Sequence, residues 1–271
     1  MPALRDIALG RYVAVDSPIH RLDPRTKFLA VMSLMIATVT ARHWAPVVLA
    51  AGAAVAVALV ARLPLRLLLR NLGPFTWLFA FTFALHAFMT PGAPLWRVPG
   101  VDVAVTAEGL SLGALFAGRL AAVISIASLM TLTTAPMELT DGLERLLSPF
   151  RRLGLPAHEL AMMVSISLRF VPVLVEEAER LHRAQVSRGA DFSGGPVARA
   201  RKLIPLLVPL FIAAFARADR LALAMESRCY RGGEGRTSFR QLRLAGRDLL
   251  AAALTAGLVA AVLLLPAGLQ A

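Results

Sequence analysis

Residues 44–61 read WAPVVLAAGAAVAVALVA, eighteen residues without one charged side chain. A helix needs about 20 mostly apolar residues to cross the hydrocarbon core of a bilayer. This stretch therefore predicts a membrane-spanning helix. Four more stretches have a similar character, at residues 27–41, 72–89, 109–132 and 249–269. We expect an all-α fold, a polytopic membrane helical bundle of about five spans.

The composition agrees with lipid as the solvent of much of the chain. Apolar residues make up 57% of the 271 residues, and the mean hydropathy is +0.66. Ordinary soluble domains are about 45–50% apolar. The formal net charge of +12 would indicate nucleic-acid binding in a soluble protein, so the placement of the charges has to decide between the two interpretations.

The basic residues are distributed unevenly over the loops between the predicted spans. Of the 29 Lys and Arg, 26 lie in alternate loops, two lie in the other loops, and Arg119 lies inside the fourth span. Cytoplasmic loops carry the excess of Lys and Arg. We therefore expect a multi-pass protein of the bacterial inner membrane with a cytoplasmic N-terminus, and no nucleic-acid partner.

Residues 133–247 form a long, charged segment between the fourth and fifth spans. The segment is too long for a plain loop, and its pattern predicts amphipathic helices. Its stretches 158–175 and 204–218 are apolar enough to cross a membrane, but crossing would place the basic loop between them outside, against the charge rule. We expect helices in the cytoplasmic interface, which gives a membrane domain (1–132), a cytoplasmic helical domain (133–247) and a final span (248–271).

Two predicted helix ends in the cytoplasmic domain are alike. Residues 184–189 read AQVSRG and residues 224–230 read AMESRCY, so that Arg188 and Arg228 lie forty positions apart. One arginine in a last helical turn is explained by its interaction with the helix dipole. Two matching ends favour a paired docking device, in which guanidinium groups reach carboxylates of a partner.

Several motifs resemble one family of membrane proteins. They are SPIHRLDPRTK at 17–27, RRLGLPAHEL at 151–160, LRFVPVLVEEAERLHRAQVSRGADF at 168–192, IPLLVPL at 204–210 and ADRLALAMESRCYRGGEGRT at 218–237. Together they resemble the transmembrane T component of energy-coupling factor importers, a class of ABC transporter. The resemblance extends over nearly the whole chain.

The resemblance implies a non-catalytic scaffold. The expected partners are two cytoplasmic ABC-type ATPase subunits and one substrate-binding membrane subunit, with uptake of a vitamin or a transition metal ion. ATP and Mg would be bound by the ATPases, since this chain has no GxxxxGK[ST] loop. We expect no cofactor and no metal site in the chain itself. The substrate stays open among biotin, folate, riboflavin, thiamin, cobalamin, cobalt and nickel.

The same resemblance assigns roles to residues. The two helix ends, which read Ala-Arg-Gly in the family, would couple to the ATPases. Cys229 replaces the second glycine, and it is strained if that position needs a positive φ but tolerated if glycine only avoids a clash. The coupling residues are then Ser187, Arg188, Gly189, Ser227, Arg228 and Cys229, supported by Gln185, Glu226 and Tyr230. Candidate contacts with the substrate-binding subunit are Arg119, Phe211 and Phe215.

Alternatives remain for the chain as a whole and for Arg119. A charged residue inside a span has to face protein or water, so Arg119 either contacts a partner or, the favoured alternative, bonds to backbone carbonyls internally or snorkels to the interface. A membrane enzyme is disfavoured because HExxH and GxSxG motifs are absent. A stand-alone secondary transporter or channel is the remaining alternative, although the spans show no internal repeat.

Overall fold

A computed structural model describes residues 13, 15–97, 104–147, 157–232 and 245–265. The chain forms two compact units. The bundle unit contains Arg11–Gly142 and Leu242–Ala271, and the long-helix unit contains Leu143–Gln241. The described part of the chain is overwhelmingly helical, which confirms the all-α prediction.

The bundle unit is built from apolar helices around α5. Its helices are α1 (Pro24–Thr40), α2 (Trp44–Val60), α3 (Leu65–Leu72), α4 (Thr76–Met89), α5 (Ala107–Thr133) and α9 (Gly246–Leu264). A 3-10 turn, Gly73–Phe75, joins α3 to α4. Helix α5 contacts α1, α2, α3 and α4, and α9 contacts α1 and α2.

The start of α1 is set by a capping carboxylate and a proline. Asp23 is the N-cap, its carboxylate accepts the backbone N–H of Arg25 at 2.9 Å, and Pro24 occupies the first helical position. A carboxylate at the N-cap satisfies a backbone donor that the helix itself cannot pair, and proline there has no donor to lose. The Asp23–Pro24 pair therefore starts the helix three residues before the predicted span at 27–41.

Small residues let the bundle helices approach closely. A Cβ added at Gly109 would lie 2.7 Å from the carbonyl oxygen of His86, and one at Gly113 would lie 2.8 Å from that of Phe83. Both carbonyls belong to α4, so the small-residue face of α5 packs on the α4 backbone. In α2, Ala50 and Ala54 are at most 1% exposed and belong to the core.

An antiparallel hairpin between α4 and α5 was not predicted. Strand β1 (Pro94–Arg97) pairs with β2 (Ala104–Thr106), and Trp96 lies opposite Val105. The carboxylate of Glu108 accepts the N–H of Ala93 at 2.8 Å and fixes the connection to the hairpin.

The long-helix unit contains two helices of equal length. Helix α7 (Ala157–Ser187) and helix α8 (Pro196–Glu226) each have 31 residues and contact each other. Helix α7 runs without a break through Pro172, and α8 through Pro205 and Pro209. A shorter helix, α6 (Pro136–Leu147), extends over the boundary between the two units.

By length and composition, four helical stretches among the described residues could cross a membrane. They are Leu65–Met89, Ala107–Thr133, His158–Ser187 and Gly246–Leu264, and Trp44–Val60 is a shorter apolar helix. Three of the four overlap predicted spans. The stretch His158–Ser187 lies in the segment assigned above to the cytoplasmic interface; that assignment depends on the charge rule and stays a prediction.

Candidate functional site

The C-terminus of α7 ends in a Schellman cap. We call residues 185–190 the first cap. The N–H of Ala190 donates to the carbonyl of Gln185 at 3.0 Å, and the N–H of Gly189 donates to that of Val186 at 3.0 Å. Gly189 has a φ of +87°, the left-handed conformation that this motif needs after the helix. The chain therefore turns sharply away directly after Arg188.

The C-terminus of α8 repeats this backbone pattern forty residues later. We call residues 225–230 the second cap. The N–H of Tyr230 donates to the carbonyl of Met225 at 3.0 Å, and the N–H of Cys229 donates to that of Glu226 at 2.9 Å. Cys229 has a φ of +56°. The two look-alike sequences therefore adopt the same hydrogen-bonded end.

The serine before each arginine makes the same local bond. The hydroxyl of Ser187 donates to the carbonyl of Ala184 at 2.8 Å, and that of Ser227 donates to the carbonyl of Ala224 at 3.0 Å. Both bonds reach back one helical turn, so each hydroxyl satisfies a carbonyl near the helix end.

The two arginine side chains extend from these caps into solvent. Arg188 and Arg228 are both exposed, and within the described part of the chain no ion pair joins either guanidinium to a carboxylate. Each guanidinium carries five donors in a planar fork that fits a carboxylate or phosphate. The caps thus present two equivalent donor groups on matching backbone turns.

The backbone angle at Cys229 shows why the family has a glycine at this position. Its φ of +56° lies in the left-handed region, where an L side chain costs roughly 1–2 kcal/mol. The side chain is exposed, so lack of space is not the constraint. The second cap therefore carries backbone strain that Gly189 avoids in the first cap.

The three support residues contribute to the caps in different ways. The carbonyl of Gln185 accepts the N–H groups of both Arg188 and Ala190, and the carbonyl of Glu226 accepts that of Cys229. The phenol of Tyr230 donates to the thioether sulfur of Met162 in α7 at 3.0 Å. Tyr230 is the one support residue whose side chain has a described bond to the other long helix.

The loop after the first cap is tied to α8. The Asp191 carboxylate accepts the N–H of Ser193 at 2.8 Å, its hydroxyl at 2.7 Å and the ammonium of Lys202 at 3.1 Å. The side-chain and backbone bonds from Ser193, followed by the bond from Lys202, lower the pKa of Asp191 to about 2. Asp191 therefore stays charged at any physiological pH. The ring of Phe192 packs on that of His182 with centroids 4.5 Å apart.

Arg119 has internal partners. One guanidinium nitrogen donates to the carbonyl of Val39 at 2.9 Å and lies 3.4 Å from that of Ala41, at the C-terminus of α1. The guanidinium also lies 4.2 Å from the ring centroid of Phe116. A cation that pairs with the last carbonyls of a helix needs no partner protein to explain its position, as the favoured alternative expects.

The two candidate aromatic residues of α8 lie on an open apolar face. Phe211 is 60% exposed and Phe215 is 68% exposed. Further exposed apolar side chains belong to the same helix: Ile204, Leu207, Val208 and Ile212. A contiguous face of this kind indicates contact with another protein or with lipid.

A buried polar cluster at the start of α1 was not predicted. The carboxylate of Asp248 accepts the N–H of Asp23 at 2.7 Å and that of Ala245 at 2.8 Å, which joins the starts of α1 and α9. The ammonium of Lys27 donates to the carbonyls of His20 and Thr133, both at 3.0 Å. No local pattern reveals a bond such as that between residues 23 and 248.

The turn before α1 also carries shifted ionisable groups. Burial, and then the charge of Lys27, lower the pKa of His20 below its usual value, and its Nδ1 lies 2.7 Å from the hydroxyl of Ser17. The hydrogen bond from Arg21 lowers the pKa of Asp16 at the exposed side of the turn. The turn is therefore held by a neutral imidazole on one side and an ion pair on the other.

Residues 16–239 match a family described as "Cobalt transport protein" (CbiQ). The chain is 53% identical over 248 residues to the energy-coupling factor transporter transmembrane protein EcfT of Heliobacterium modesticaldum, which covers 90% of this chain and 92% of that protein. It is 48% identical over 258 residues to the protein of that name from Thermosediminibacter oceani, with 95% and 96% covered. The one from Bacillus subtilis is 44% identical over 241 residues, with 89% and 91% covered.

Proposed function

The chain belongs to the family of energy-coupling factor transporter transmembrane proteins, and from that membership we propose that its two caps are the points at which two ABC-type ATPase subunits dock. A membrane subunit of a transporter has a non-enzymatic role. ATP and Mg are bound, and ATP is hydrolysed, by the partner subunits. The chain transmits their motion to a substrate-binding membrane subunit.

The observation that carries this proposal is the repeated cap geometry. Two helix ends with the same backbone bonds, each preceded by the same serine bond, present Arg188 and Arg228 as equivalent groups. Two equivalent arginines fit a partner that offers the same binding groove twice, for example a pair of similar subunits. Partner carboxylates would bind the guanidinium forks through charge-assisted hydrogen bonds.

The long helices offer a route for the motion. A 31-residue helix is about 46 Å long. A displacement that the ATPases cause at a cap can therefore be carried along α7 or α8 to a distant part of the complex. The open apolar face with Phe211 and Phe215 supports contact with the substrate-binding subunit. The internal bonds of Arg119 make it the weaker of the candidate contacts.

We also propose an orientation of the chain in the membrane and a class of transported compound. The long-helix unit and the N-terminus face the cytoplasm of a bacterial cell, and the bundle unit lies in the inner membrane. The transported compound is a vitamin or a transition metal ion that the separate subunit selects.

The test compares arginine variants in the assembled complex. The variants Arg188→Ala, Arg228→Ala and the double variant are tagged and purified from membranes. Arg183→Ala is the control, since Arg183 is exposed on α7 and its ion pair among the described residues is with Glu179 of the same helix. Loss of a charge pair buried at an interface costs about 2–5 kcal/mol. We therefore expect ATPase binding at least about thirtyfold weaker for each cap variant and unchanged for the control.

The result that would overturn the proposal is a double variant that purifies with both ATPases and supports normal uptake. Uptake by the chain alone in vesicles would instead favour the secondary-transporter alternative.

A further inference from the structure

The chain at or directly after each cap is bonded to the other long helix. On the first side, the ammonium of Lys202 donates to the Asp191 carboxylate at 3.1 Å and to the carbonyl of Ser193 at 2.8 Å. Asp191 and Ser193 follow the first cap directly, whereas Lys202 lies in the second turn of α8. The tie therefore runs from the end of α7 to the beginning of α8.

On the second side, the tie runs in the reverse direction. The phenol of Tyr230, the last residue of the second cap, donates to the sulfur of Met162 at 3.0 Å. Met162 lies in the second turn of α7. Met162 and Lys202 are forty positions apart in the sequence, the same separation as Arg188 and Arg228.

We propose that Met162 and Lys202 are positioning residues that close α7 and α8 into one frame, so that a displacement of either arginine cap is transmitted to the other. This inference rests on the proposed docking of ATPases at the caps. A helix is stiff along its axis, but two helices that touch only along their shafts can still pivot. Bonds at both ends oppose that pivot, because a pivot of one helix against the other would stretch them.

The first tie is more than an isolated surface ion pair. Asp191 accepts three bonds, Lys202 donates two, and the Phe192 ring packs on His182 beside them. The tie therefore contains one ion pair and three further hydrogen bonds, which share the same few groups.

Distances between the caps test the frame without any ATPase. Spin labels are attached at Ala184→Cys and Ala224→Cys, both exposed, in a Cys229→Ser background that removes the chain's one native cysteine. The full chain in lipid nanodiscs is then measured by double electron–electron resonance. We expect the distance distribution to broaden in Lys202→Gln and in Met162→Leu, and to stay narrow in Lys202→Arg, which keeps the donor. A distribution unchanged by Lys202→Gln and Met162→Leu together would overturn the proposal.

For the second tie, Met162→Leu is a more specific test than Tyr230→Phe. Tyr230 makes further interactions, so removing its hydroxyl would disturb more than one contact. Leucine at position 162 removes the sulfur acceptor and keeps a similar apolar volume.

Transport by the assembled complex tests the positioning role. The ratio of substrate taken up to ATP hydrolysed is measured in proteoliposomes for wild type, Lys202→Gln, Lys202→Arg and Met162→Leu. An exposed ion pair contributes about 0.2–1 kcal/mol, so we expect Lys202→Gln to lower that ratio up to about fivefold, with Lys202→Arg near wild type and subunit assembly intact. A broadened distance distribution with an unchanged ratio would refute the positioning role. Failure of the docking proposal is seen separately, in unchanged ATPase binding by the Arg188 and Arg228 variants.

Discussion

Replacing Cys229 with glycine is expected to stabilise the second cap. The left-handed conformation at φ +56° costs an L residue roughly 1–2 kcal/mol, and glycine gives back about 0.5–1 kcal/mol through its greater freedom in the unfolded chain. The middle values of the two ranges give a net gain of about 0.75 kcal/mol, and a spread of about 0.25 kcal/mol either way corresponds to about a two- to fivefold change in a local opening equilibrium.

Amide hydrogen exchange measures this change where it occurs. The Tyr230 amide donates to the carbonyl of Met225 inside the second cap, so its protection should rise about two- to fivefold in Cys229→Gly. The reverse substitution, Gly189→Cys, should lower the protection of the Ala190 amide by a similar factor. Ala224→Gly is the control, since a glycine at a helical position costs stability and should lower protection.

Protection of the Tyr230 amide that is unchanged or lower in Cys229→Gly would refute this reasoning. The strain would then not be stored at that residue. A third left-handed position offers an independent check: Arg62 has a φ of +55°, and Arg62→Gly should raise the protection of the Leu63 amide, which donates to the carbonyl of Ala58 at 2.9 Å.

Three further predictions concern the bundle unit. Gly113→Ala should lower the thermal unfolding temperature in detergent, since its Cβ would lie 2.8 Å from the carbonyl of Phe83, whereas Gly118→Ala meets nothing closer than 3.8 Å and should not. Asp248→Ala leaves two backbone N–H groups without their acceptor and should cost about 2–3 kcal/mol in a denaturant titration of the chain. Burial lowers the pKa of His20, so the unfolded state binds more protons near pH 6 and stability should fall as pH drops through about 6.5, a dependence that His20→Gln should weaken.

Local signals predicted much of this structure. Asp23–Pro24 started α1 because an N-cap carboxylate and a following proline act within one turn of the chain. The spacing of Gly109 and Gly113 is another local signal, because residues four apart share one helix face, and both lie against the α4 backbone. The matching sequences at Arg188 and Arg228 predicted matching helix ends, and the same backbone bonds form at both.

Other features depend on contacts that no local pattern contains. The bond between Asp248 and the amide of Asp23 joins residues 225 positions apart. The sequence did not show whether position 229 has a positive φ, so the strain at Cys229 became apparent only from the backbone angle. The tie made by Met162 depends on the packing of the two long helices, since Tyr230 lies 68 positions away, and the tie made by Lys202 depends on the shape of the loop between them. The hairpin of β1 and β2 has only a short sequence signal beside the stronger helical pattern around it.

Photo-cross-linking from the caps in intact membranes tests the docking of the ATPases most directly. A photoreactive amino acid is placed at Ser187 or at Ser227, both exposed one position before an arginine, and at Trp77, exposed on α4, as the control. Docking at the caps predicts covalent adducts with P-loop ATPase subunits from both cap positions and none from position 77. Cross-linked complexes that contain ATPase from neither cap, in membranes where uptake is active, would contradict it.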